Sequence, residues 1–124
     1  MSRTDDDRLD DIANAIAAIR AHLEHGPISV EIVMDAVAMR LLEIGEAVKG
    51  LSPALTAAEP DVDWTGAAGM RDFLAHHYFA TRPDLIQNTL DERLPGLDAA
   101  VARLQAALSR DPDSATGGPT EAPA

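Results

Sequence analysis

The sequence predicts an all-α fold, a four- to five-helix up-and-down bundle, and three observations lead there. Leu9, Ile12, Ile16, Ile19 and Leu23 recur at alternating steps of three and four, the spacing of an amphipathic helix. Hydrophobic residues make up 46% of the chain but aromatics only 3%, so the core is built from Ala, Leu, Ile and Val, a mix that favours helices over sheets. At 124 residues the chain holds one domain and one core.

The first stripe defines a helix that Gly26-Pro27 ends. Ser29 is the expected N-cap of a second helix, carrying Val33, Val37, Leu41, Ile44, Val48 and Leu51. Val30, Met34, Ala38 and Leu42 widen its apolar surface. A helix apolar on more than one side must bury both, inside a bundle or against another subunit, which hints at dimerisation. Residues 52–63 contain Pro53 and Pro60 and read as a connection with at most a short helical turn.

Asp63 can cap a third helix running to about Phe79, with Met70, Phe73, Leu74 and His77 along one side and Gly66 and Gly69 allowing close packing. Thr81-Arg82-Pro83-Asp84 reads as a cap, a Pro near a helix start and a first-turn acid, opening a fourth helix to about Arg93. Pro95 then precedes a last helix defined by Leu97, Val101, Leu104 and Leu108, expected to pack back on the first two. The domain is thus read as 1–108, with 109–124 a disordered acidic Pro/Gly/Ala-rich tail, because its composition cannot offset the entropy of ordering it.

The absence of cysteine excludes disulfides, thiolate nucleophiles and cysteine-ligated metal. The acidic start lacks an apolar signal core, and no apolar run approaches membrane-spanning length, so a cytoplasmic protein is expected. A net charge of −11, with ten scattered basic residues, argues against broad, salt-driven nucleic-acid binding.

The chemistry concentrates in Arg71-Asp72-Phe73-Leu74-Ala75-His76-His77-Tyr78. On an ideal helix Arg71 and Tyr78 share a stripe, and His76 stands about 140° from Arg71. An Arg fork matches a phosphate and can stabilise the negative charge of a phosphoryl transition state. A histidine can take the proton from an attacking ribose 2′-hydroxyl or protonate the leaving oxygen. By residue type alone the commoner role is structural, because helical Arg and His usually form salt bridges or sit half-buried.

The run matches the R-x-x-x-x-H-x-Y motif of HepT-like ribonuclease toxins of HEPN type, which the chain resembles. The likeness extends upstream through Met39 to Lys49, with Ile44-Gly45-Glu46-Ala47, then Leu51-Ser52-Pro53 and Trp64, and downstream through Phe79 to Leu97. It spans about Leu9 to Leu108. The resemblance implies a helical homodimer whose paired Arg-His motifs form a metal-independent RNA-cleaving site without cofactor. Arg71 and His76 would be catalytic, and tRNA is one candidate substrate. It also implies a minimal nucleotidyltransferase antitoxin that transfers AMP to Tyr78, the chain's one tyrosine. An alternative is a catalytically silent HEPN-fold regulatory subunit of that nucleotidyltransferase; a third is a purely structural helical dimer.

His77 stands at the variable motif position as an auxiliary base or, from its place on the apolar side, a core histidine. Glu43 and Glu46 either steer the site or form a solvated face. His22 and His25, with Glu24 between, have nominal metal spacing but no third ligand, so no metal is expected.

Overall fold

A computed structural model describes residues 4–110. Among them lie helices α1 (Asp5–Leu23), α2 (Glu31–Lys49), α3 (Pro53–Ala57), α4 (Trp64–His77), α5 (Pro83–Glu92) and α6 (Leu94–Arg110), with a 3-10 turn at Tyr78–Ala80 and no strand. Since α3 has only five residues, five helices build the bundle, as the sequence predicts.

The start of α1 is a capping box. Asp7 N donates to Thr4 Oγ1 at 3.1 Å and Thr4 N to Asp7 Oδ2 at 3.3 Å, satisfying amides that the first turn leaves unpaired. Leu9, Ile12, Ile16 and Ile19 are almost wholly buried, as their spacing requires.

Gly26 turns the chain at φ 150°, a left-handed value that favours glycine. Val30 N then donates to Pro27 O at 2.9 Å. This turn delays α2 by one residue, so its N-cap is Val30, with no side-chain bond, rather than Ser29. Helix α2 packs along α1 on one side and α4 on the other. Its two apolar sides are therefore largely filled within the chain, leaving Ile32 and Met39 exposed.

The connection after α2 is pinned at both ends. Ser52 donates to Asp5 through its amide (3.0 Å) and hydroxyl (2.8 Å), and Trp64 Nε1 donates to Glu59 O at 3.0 Å. Helix α5 is preceded by Arg82, without a side-chain cap. The expected cap Thr81 is buried, its hydroxyl donating to His77 O at 3.4 Å. Pro95 lies inside the first turn of α6, where a missing amide costs nothing.

Helix α6 packs chiefly on α1 and α5, so α5 rather than α2 takes its second side. Arg20 to Asp98 (2.6 Å) and Gln105 to Asp10 (2.8 Å) tie it to α1. It continues through Ser109 and Arg110, past the predicted boundary at 108, and the expectation for 111–124 lies outside the described residues. No described helix is long and apolar enough to cross a membrane.

Candidate active site

Two contacts fix the position of α4, which carries the motif. Asp63 caps it, accepting from Gly66 N at 2.8 Å and pairing with Arg93 at 3.6 Å. The second is the crossing with α2 at Gly45. A Cβ there would stand 2.3 Å from Arg71 Cβ and 2.8 Å from Ala67 O, so only a residue without a side chain lets the two backbones meet. The sequence predicted close packing at Gly66 and Gly69. Instead Gly66 faces its own cap and Arg93, and a Cβ added at Gly69 would meet nothing within 4 Å among the described residues. The helix–helix crossing belongs to α2's glycine because α4 meets α2 through Ala67 and Arg71.

Seated on Gly45, Arg71 sends its guanidinium to the next residue of α2. Its Nε donates to Glu46 Oε1 at 2.9 Å, and its Nη1 lies 3.4 Å from Asp72 Oδ1. Lys49 Nζ binds the same Asp72 oxygen at 3.0 Å. The Lys49 ammonium bonded there, with Arg71 beside it, holds the Asp72 carboxyl below its usual range. The Arg71 side chain stays 29% exposed, so a phosphate can still approach it. The two glutamates left open by sequence part company: Glu46 grips Arg71, while Glu43 binds Arg40 through both oxygens at 2.9 and 2.7 Å.

His76 is exposed, with no hydrogen-bond partner among the described residues, and its ring lies 6.5 Å from that of His77. His77 is also exposed, not a core residue, its ring resting 5.7 Å from that of Phe73. The α-helix stops there: at φ −133°, ψ 29° the His77 backbone has left helical geometry, so the apolar side of α4 closes at Leu74.

Tyr78 begins the 3-10 turn and its hydroxyl donates to Asp35 Oδ1. Arg71 and Tyr78 thus both face α2, Arg71 at Glu46 and Tyr78 at Asp35, 11 residues or roughly 16 Å apart along that helix. Half-burial of the phenol, the bond to Asp35 and the charges of Asp35 and Glu31 push its pKa up to about 12. Tyr78 borders a cleft of about 350 Å³ lined also by Ala38, Met39, Leu42, Leu74 and Ala75. Sequence reasoning missed Asp35, Lys49 and Asp72, because these contacts join α2 to α4 across 23 to 43 residues with no local pattern.

A second, wider groove of about 750 Å³ follows α1 and α2, with Arg8 and Arg40 among Asp11, Glu43 and Glu46. His22 Nε2 accepts from Arg40 Nε at 3.2 Å, which occupies the nominal His22–His25 metal pair, and no cluster of three metal-ligating residues occurs among the described residues. Arg20, Arg40, Lys49, Arg71, Arg82, Arg93 and Arg103 each pair with a carboxylate. The described residues thus offer no unbroken basic stripe for RNA.

A family model described as ribonuclease HepT-like matches residues 9–104. Over 60 residues the chain is 40% identical to a protein of Methanocaldococcus jannaschii named provisionally as an RNase, covering 48% of this chain and 50% of that one. A protein of Caldanaerobacter subterraneus subsp. tengcongensis with the same kind of name is 37% identical over 73 residues, 58% of this chain and 65% of its own. Thermococcus cleftensis has a probable ribonuclease HepT that is 32% identical over 111 residues, 85% of this chain and 99% of that protein. The chain thus spans half to 65% of the first two relatives and nearly all of the third. No solved structure matches it.

Proposed function

The chain belongs to the HepT-like ribonuclease family, and from that premise we propose that it is an endoribonuclease, the toxin of a pair whose antitoxin is a minimal nucleotidyltransferase. In this reading the 2′-hydroxyl of an RNA ribose attacks the adjacent phosphate without a metal. His76 moves the proton as general acid or base, and Arg71 stabilises the charge gathering on the phosphate. Transfer of AMP to Tyr78 silences the enzyme by placing a bulky anion beside the site.

The observation that carries this reading is the contrast between the two motif side chains. Arg71 is anchored by Glu46 while its side chain stays 29% exposed, whereas His76 is exposed with no hydrogen-bond partner among the described residues. A buried structural pair would show neither feature. The exposed apolar residues Ile32, Met39 and Phe79 around the motif support a homodimer in which two such sites come together.

One observation favours the silent regulatory subunit instead. The Arg71 guanidinium faces Glu46 and Asp72, so RNA must compete with carboxylates on a chain of net charge −11. Incubating the unmodified protein with total RNA or tRNA in EDTA, beside His76→Ala, decides between them. Cleavage to cyclic 2′,3′-phosphate ends by the parent alone establishes the ribonuclease. Intact RNA with both proteins, when mass spectrometry shows Tyr78 unmodified, leaves the regulatory subunit. Light scattering on the same samples reads the dimer.

A further inference from the structure

We propose that Asp35 is the general base for nucleotidyl transfer to Tyr78, its Oδ1 accepting the phenolic proton as Tyr78 Oη attacks the α-phosphorus of a nucleoside triphosphate. This rests on the reading of Tyr78 as the modified residue and adds to it a group on the acceptor protein itself. In the step, the Oη–phosphorus bond forms and the bond from the α-phosphorus to pyrophosphate breaks. The proton leaves Oη for Asp35 and pyrophosphate departs with the electron pair.

Three observations carry it. The Tyr78 hydroxyl already donates to Asp35 Oδ1, so the nucleophilic oxygen and its proton acceptor are in contact before any partner arrives. Asp35 is itself exposed, on the second turn of α2, so water can remove the proton it receives. And the phenol needs a base. With its pKa pushed up to about 12, roughly one molecule in 10⁵ carries a phenolate at pH 7, so the proton has to leave as the new bond forms. A carboxylate on the attacking hydroxyl does this in protein kinases.

The charged groups acting on the phenol from α2 are Asp35 and Glu31; His76 and His77 precede it on its own element. This arrangement separates a base from a bystander. Removing the Asp35 charge makes the phenol easier to ionise, which by itself would speed attack. Loss of a base slows it.

The test uses the full chain as wild type, Asp35→Asn, Asp35→Glu and Tyr78→Phe. Each is mixed with a purified minimal nucleotidyltransferase of the proposed antitoxin class, magnesium and ATP labelled at the α-phosphate. Absorbance titration of the one tyrosine is run in parallel, and circular dichroism checks the fold. Asp35→Asn should ionise at lower pH yet take up label at least about tenfold more slowly, with a rate that climbs with pH where the wild type is flat. Asp35→Glu should recover part of the rate, and Tyr78→Phe should take none. Wild-type and Asp35→Asn rates that coincide overturn the proposal and leave Tyr78 modification standing. A wild type that takes no label overturns both.

Discussion

Replacing Gly45 with Ala tests the seat of Arg71. The added methyl would stand 2.3 Å from Arg71 Cβ and 2.8 Å from Ala67 O, whereas carbon contacts settle at roughly 3.5–4.0 Å. One neighbour is backbone and the other is fixed to it, so α2 and α4 must part by roughly 1 Å or more. Such overpacking costs about 1–3 kcal/mol, offset by about 0.5–1 kcal/mol of helix propensity. The net loss is about 1–2 kcal/mol, or a Tm lower by about 4–9 °C for a domain of this size. If Arg71 holds the RNA phosphate as proposed, a shift of that size should cost about 10²-fold in RNA cleavage. Gly69→Ala is the control: with nothing within 4 Å of its added methyl, it should gain about 0.5–1 kcal/mol and cleave normally. Thermal and urea unfolding read stability, and cyclic-phosphate ends read activity. If Gly45→Ala is as stable as Gly69→Ala, the close crossing is not what places Arg71.

Three further outcomes follow from the same contacts. Glu46→Gln should change stability by less than about 1 kcal/mol, since the pair it breaks is largely exposed. It should nevertheless lower kcat about tenfold as Arg71 loses its anchor, and unchanged kcat would count against a positioning role. His77→Ala should keep cleavage within a few-fold of the parent and fold normally, because the His77 side chain is exposed and, among the described residues, meets only the Phe73 and His76 rings; abolished cleavage would move the proposed acid or base role to His77. Asp63→Ala removes the α4 cap and the Arg93 pair and should cost about 1–2 kcal/mol in urea unfolding with an unchanged m-value.

The sequence by itself determined the helices and most of the core. Leu9, Ile12, Ile16 and Ile19 are buried because a period of 3.6 leaves them one common face. Asp63 caps α4 because a short carboxylate there reaches the next turn's amide. Local rules also located the motif on the third long helix. They failed where backbone geometry changed: at Ser29, displaced by the turn at Gly26, and at the end of α4, where a 3-10 turn takes over at Tyr78.

Only the tertiary structure decided what the motif touches. Gly45 rather than Gly69 admits the close crossing, Glu46 rather than Glu43 holds Arg71, and Asp35 receives the Tyr78 hydroxyl. Periodicity assigns a residue to a face of its own helix. Which residue of another helix lies opposite depends on where the two axes cross, and here one missing side chain sets that crossing.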